Sequence, residues 1–286
     1  MIDSHMHLFT QLTPEFPRGT HELYPAERTA ELDEYLMFAD QLNIDHSILV
    51  SLDEHDEYIA QALEQDPGRF SAVAVMDVNA EDPTSDFQRR IDCIPLVGYR
   101  LWTLGANPSL VVPQKFNDLL SAMEKNNVAA WFYSDEVQLR ALAGIVDRYP
   151  NLTFVLNHMG FCQSAITCDE WGRPRVKTDI PPRTQAVVEE LARHDNVVVM
   201  FSGHYAFSNE QYPYLDLLET SDRLLQAFGP NRLLWASDWP WIKVQPGYRP
   251  IMDVVRVQLP GLSEVEITQI LGANSKRVLG IKVKQK

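Results

Sequence analysis

The sequence predicts an α/β protein of the (β/α)8 TIM-barrel class, one domain over residues 1–286. Three observations predict it. Eight short β-rich runs alternate with helix-like stretches along the whole chain. The runs are apolar almost throughout, as parallel strands covered on both faces are. The longer connections leave the ends of the runs, where barrels of this kind build their pockets. No Gly-rich phosphate loop follows the first run, so an open doubly wound sheet has no support.

The first run, Ile2–Phe9, leads through the long loop Thr10–Arg28 to Thr29–Asn43, whose Leu32, Leu36 and Ala39 share a helix face. His46–Leu52, Phe70–Val78, Val97–Thr103 and Val128–Ser134 read as strands two to five. Gln138–Tyr149 gathers Leu142, Ile145 and Val146 on one helical side, and the short link Pro150–Leu152 enters the sixth strand, Thr153–His158. A second long loop, Gly160–Pro182, precedes the helix Thr184–His194, with Val187, Val188 and Leu191 on its face. Val197–Ser202 and Arg232–Ser237 complete the eight. No internal repeat, low-complexity segment or interdomain linker interrupts the pattern.

Composition narrows the function classes. The length suits one barrel, typically ~250 residues. With 25 Lys+Arg against 39 Asp+Glu, the formal charge of −14 argues against nucleic acid and anionic membranes as partners. No stretch approaches the roughly 20 apolar residues of a membrane span. No basic-then-apolar leader is seen at the start, and Cys93, Cys162 and Cys168 lack CxxC spacing, so a cytoplasmic protein without a disulfide framework is expected. A homo-oligomer is compatible with all of this. Neither a Gly-x-Ser-x-Gly elbow nor a phosphate-loop motif occurs.

The chemistry-bearing residues fall at the ends of the runs. Residues i and i+2 of a strand point the same way, so His5 and His7 can reach one metal ion. Ser4-His5-Met6 is also a cloning-scar pattern, but here it lies inside a strand-like run. His158 ends the sixth run, His204 and Tyr205 follow the seventh, and Asp238 ends the eighth. In a barrel those ends converge on one mouth, so residues distant in sequence become neighbours. Three imidazoles and a carboxylate suit one divalent ion, with Zn2+ the best match; a metal-free site stays open.

The segments IDSHMH, LNHMG, MFSG, WASDWPW and ILGANSKRVLG resemble those of the amidohydrolase superfamily, and within it the amidohydrolase-2 branch of 2-pyrone-4,6-dicarboxylate lactonases and sugar lactonases. The resemblance runs from the first strand to the last helix. It implies a metal-dependent hydrolase in which His5 and His7 are metal ligands or substrate-positioning groups. It further implies His158 as a ligand or electrophile, and Asp238 as ligand and general base. Strands four and five contain no Lys that carbamylation could turn into a bridge between two metals. A mononuclear or metal-free site follows.

The expected reaction is opening of a small, carboxylated lactone. The alternative is a non-oxidative decarboxylase similar to the aminocarboxymuconate-semialdehyde and resorcylate enzymes, in which His204 would be a catalytic second histidine. The substrate is expected to be a small anion. Arg100, late in strand four, can hold its carboxylate in a bidentate fork. Arg173, Arg175, Lys177 and Arg183 form a basic cluster in and beyond the second long loop, with Arg173 the substrate-binding candidate. Tyr205 is expected to orient substrate or stabilise an oxyanion, Trp239 and Trp241 to form an apolar wall, and His55 to be a weaker contact. His21, His46 and His194 are assigned to surface or core.

Overall fold

In the computed structural model, which describes residues 1–105 and 111–283, each of the eight runs forms a strand of one parallel sheet. These are β1 Ile2–Met6, β2 His46–Val50, β3 Phe70–Val75, β4 Leu96–Leu101, β5 Ala129–Phe132, β6 Phe154–Leu156, β9 Val197–Phe201 and β10 Leu233–Trp235. The order β1-β2-β3-β4-β5-β6-β9-β10 is sequential, as a barrel requires. The intervening pair, β7 Ile166–Cys168 and β8 Pro174–Val176, is an antiparallel hairpin within the second long loop, which the apolar pattern does not predict. Its residues range from exposed Thr167 to buried Val176 and are mixed in polarity, so period-2 hydrophobicity is absent.

Helices α1 Leu32–Gln41, α2 Glu57–Gln65, α3 Pro83–Cys93, α4 Gln114–Lys125, α5 Glu136–Leu142 and α6 Gln185–Leu191 connect the earlier strands. The short α7 His204–Phe207 and α8 Leu218–Phe228 separate β9 from β10. Then α9 Tyr248–Gln258, α10 Glu264–Thr268 and α11 Asn274–Val278 finish the chain. The expected helix Gln138–Tyr149 is shorter than its periodicity implies. It stops at Leu142, and Val146–Arg148 is a separate 3-10 turn. No helix among the described residues is long and apolar enough to cross a membrane.

Alternation along the strands sorts side chains into two layers. Ile2, Ile48, Val50, Val73, Trp131, Val155, Met200 and Leu234 fill the barrel interior, with Ile281 joining them. The alternate residues, among them Leu49, Ala72, Phe132, Val199 and Trp235, pack against the helices. Gly98 sits where a Cβ would lie 2.8 Å from the Trp131 ring, so glycine makes room for the indole in the lumen.

β1 breaks this alternation, and the break builds the site. Ile2 pairs with His46 and Asp3 with Ser47, but Met6 pairs with Leu49, so one extra residue is inserted between Asp3 and Met6. Such a bulge reverses the facing of everything beyond it. Asp3 therefore faces the helices, bonding Tyr35 and Tyr248, while His5 and His7 face the lumen. No backbone ladder joins β1 to β10 among the described residues. The seam is closed instead by His7 N–H donating to Trp239 O at 2.7 Å, Asp238 N–H donating to His5 O at 2.9 Å, and the Asp3 carboxylate accepting from Ser237 N at 2.9 Å.

Candidate active site

The mouth brings together four of the predicted residues. His5 Nε2 and His7 Nε2 are 3.2 Å apart, and each is 3.5 Å from Asp238 Oδ1. His158 Nε2 stands 3.9 Å from the other oxygen, Asp238 Oδ2. All four side chains are buried. A tetrahedral metal with bonds of about 2.0–2.1 Å holds its ligand atoms about 3.3–3.4 Å apart. The His5–His7–Asp238 triangle has those edges, and Asp238 Oδ1 accepts no hydrogen bond among the described residues. The donor set thus fits one divalent ion, with His158 outside the trio and facing the second carboxylate oxygen.

Supporting contacts fix which atoms face the centre. His7 Nδ1 donates to Val50 O at 2.7 Å, which leaves the Nε2 lone pair inward. His158 Nδ1 meets Ser202 Oγ at 3.0 Å, and its ring stands edge-on to Tyr133. Burial lowers the His158 imidazole to about 4 and holds His5 well below its ordinary value, so both are neutral at pH 7. Burial opposes ionisation of Asp238, but its coupling to His158 and His5, which take up charge only in acid, keeps the carboxyl below its ordinary range. The Tyr205 hydroxyl donates to Asp238 Oδ2 at 2.6 Å. Asp238 itself takes φ +59° and His158 φ +44°, left-handed conformations that strain non-glycine residues and often mark functional sites.

The other expectations divide. Arg100 faces the lumen two residues after Gly98 and is only 5% exposed. Its guanidinium lies 4.4 Å from the Trp102 ring centre and 5.0 Å from that of Tyr133. Tyr205 is wholly buried, and its hydroxyl is engaged with Asp238 Oδ2. Trp241 lines the mouth, its ring 6.1 Å from His7 and under the Arg28 guanidinium, whereas Trp239 packs inward on Tyr35. His204 does not join the cluster. Its ring is wholly buried edge-on to Phe201 and stacked on Tyr214, and burial lowers it to about 3. Arg173 is not a free cation, because it pairs with Asp169 at 2.8 Å and donates to Gln245 O at 2.7 Å. Arg175 grips the carbonyls of Tyr205 and Ser208, and Arg183 pairs with Asp179. His55 is half-buried and paired with Asp53 at 3.1 Å. His46 is a satisfied core residue, bonding Gly68 O and Ser71. Burial pushes the Cys162 thiol up to about 11, which makes it a poor nucleophile.

Sequence reasoning missed Asp3 and Ser202. A polar residue at β1's second position was the available signal for Asp3. Ser202 carried none, because its partner is 44 residues away.

Comparison with known proteins settles the family. Residues 2–281 match the family described as amidohydrolase.

The chain belongs to the amidohydrolase family.

Over 243 residues it is 24% identical to a D-galactarolactone isomerase from Agrobacterium fabrum, covering 84% of this chain and 76% of that protein. An L-fucono-1,5-lactonase from Burkholderia ambifaria is 30% identical over 105 residues, or 36% of this chain and 31% of that protein. In fold, the chain superposes on a crystal structure of an amidohydrolase from Burkholderia multivorans with bound zinc. The TM-score is 0.75 at 21% identity, covering 98% of this chain and 99% of that one. Within this amidohydrolase, β4 and β5 supply no lysine, and Trp131 fills the lumen beneath His5.

Proposed function

We propose that this amidohydrolase opens a small carboxylated lactone with water, using one divalent ion held by His5, His7 and Asp238. The single observation that carries the reading is the His5–His7–Asp238 triangle, with edges of 3.2, 3.5 and 3.5 Å, at the strand ends of a barrel. The lactone names among its relatives agree with it. Zn2+ in that trio would act as a Lewis acid on the lactone carbonyl.

The protein groups have distinct tasks. Asp238 Oδ2 accepts a proton as the water oxygen bonds to the carbonyl carbon. The acyl–oxygen bond then breaks, and the same proton passes to the departing ring oxygen. Tyr205 holds Oδ2 in place for both transfers. His158, neutral and 3.9 Å from that oxygen, orients the carbonyl. Arg100 binds the substrate carboxylate, and Trp241 walls the mouth. A cytoplasmic setting suits the three free cysteines.

Acyl transfer to a hydroxyl of the substrate itself would use the same Asp238 base with that hydroxyl attacking in place of water, as the isomerase relative favours. Incubation with sugar-acid lactones, muconolactone and pyrone lactones in H₂¹⁸O separates these chemistries. Label in a product acid is the expected result. An unlabelled ring isomer would replace hydrolysis with isomerisation, and CO₂ release with no label in the organic product would replace it with decarboxylation. Asp238→Asn should abolish turnover with the fold intact. Dialysis against a chelator should remove one equivalent of metal and lower the melting temperature; retention of both activity and melting temperature would sink the metal assignment.

A further inference from the structure

We infer that Arg175, on the β7–β8 hairpin, is a positioning residue for the reaction: by holding the end of α7 it sets the Tyr205 hydroxyl against Asp238 Oδ2. The inference rests on the reading of Asp238 as ion ligand and base, and names the part of the chain that keeps that carboxylate in place.

The first observation is that α7 has little to hold itself. It is a four-residue helix, His204–Phe207, entered through Gly203 at φ +78° with no side-chain cap. A single turn carries the cost of nucleation with almost no ladder to offset it. Ala206 N–H donates to Gly203 O at 2.8 Å and Ser208 N–H to His204 O at 3.0 Å. The next N–H, that of Asn209, would continue the ladder onto Tyr205 O, but it donates to Asp216 Oδ2 at 2.7 Å instead. Tyr205 O and Ser208 O are thus left at the helix end, and the two Nη groups of Arg175 donate to them. One guanidinium brackets the turn that carries Tyr205, whose hydroxyl donates to Asp238 Oδ2 at 2.6 Å.

The second observation is that the hairpin presenting Arg175 is itself fastened to the loops after β1 and β10. Thr167 pairs with Arg175 across it. Asp169 closes its turn, accepting from Trp171 N–H at 3.0 Å, Arg173 N–H at 2.9 Å and Arg173 Nε at 2.8 Å. Arg28, in the loop after β1, donates to Gly172 O at 2.9 Å, and Arg173 donates to Gln245 O, beyond Asp238, at 2.7 Å. The Arg173 guanidinium also lies 5.8 Å from the Tyr205 ring centre. Arg175 therefore works from a braced support, as the fixing of a carboxylate between an ion and a phenol requires. Loss of an outer partner of this kind typically weakens metal binding about 10- to 100-fold.

The test is a double-mutant cycle between Arg175→Met, which keeps the apolar stem and removes the donors, and Tyr205→Phe. Two quantities are read on each variant. One is kcat and KM of the Zn2+-loaded protein on whichever lactone of the ¹⁸O panel turns over fastest. The other is the Zn2+ dissociation constant, by competition with a chelating dye. Arg175→Met should lower kcat about tenfold with KM within about twofold, and weaken Zn2+ about tenfold. In the Tyr205→Phe background the same substitution should change either quantity less than about twofold, because its route to Asp238 is already cut. Arg175→Lys should recover part of both losses, and also carries the cycle if Arg175→Met does not fold. Arg183→Gln, which removes an exposed arginine paired with Asp179, should change neither. Equal losses from Arg175→Met with and without the Tyr205 hydroxyl, or no loss at all, would overturn the inference. If no lactone is opened the hydrolase reading falls, and the Zn2+ cycle alone decides this one.

Discussion

Replacing Asp3 with Asn probes the buried carboxylate that closes the barrel between β1 and β10. Oδ1 accepts from the backbone N–H of Ser237 at 2.9 Å and of His5 at 3.5 Å. Oδ2 accepts from Ser237 Oγ at 2.5 Å, Tyr35 at 3.4 Å and Tyr248. Five donors surround it, yet no cation does among the described residues, and burial pushes the carboxyl from 3.8 up to about 6 against the pull of Ser237 and Tyr248. That rise is worth about 3 kcal/mol. The unfolded chain releases this proton near pH 3.8 and the folded one near 6, so between those values the folded state holds more protons. Its contribution to stability is fully present below the lower value and lost as pH rises through the upper one. Asn cannot titrate. Its amide oxygen can replace Oδ1 before the two backbone donors, and its NH2 then faces hydroxyls that can rotate to accept. The stability difference between wild type and Asp3→Asn should therefore move against wild type by about 2 kcal/mol from pH ~4.5 to ~7. Urea unfolding followed by tryptophan fluorescence at stepped pH measures it. A difference independent of pH would refute the picture of a buried carboxylate without a counter-charge.

Two further substitutions address the centre itself. Tyr205→Phe removes the donor 2.6 Å from Asp238 Oδ2. Loss of a charge-assisted bond of about 1.5–3 kcal/mol should lower kcat about 10- to 100-fold and shift the acid limb of the pH–rate profile upward; an unmoved limb would show that the hydroxyl does not hold the base. Gly203→Ala would place a Cβ 2.9 Å from His158 Nδ1 at a backbone φ of +78°. It should cost about 1–2 kcal/mol from the backbone alone and depress kcat by displacing His158, whereas Gly261→Ala, which meets nothing within 4 Å, should change neither. Melting curves and kcat on both variants decide it.

What was legible in the sequence follows from where burial is symmetric. Strands β2 to β6 could be placed because both of their faces are covered, which forces continuous apolar runs. The HxH pair was legible because i and i+2 share a side whichever side that is. What strand pattern alone cannot give is the side itself: with regular alternation from Ile2, His5 would point at the helices beside Asp3. The extra residue between Asp3 and Met6 corrects this, and an insertion in pairing register leaves no mark in one strand's own pattern. Charge behaves in the same way. Arg173 looked like a substrate ligand because a sequence shows where a cation is and hides what it bonds, although Asp169, four residues before it, was a readable partner. Arg100 has no such neighbour in sequence and is buried within an apolar strand. A cation that the pattern places in such a strand with no local carboxylate calls for a ligand, and that reasoning separates the two arginines before any coordinate is known.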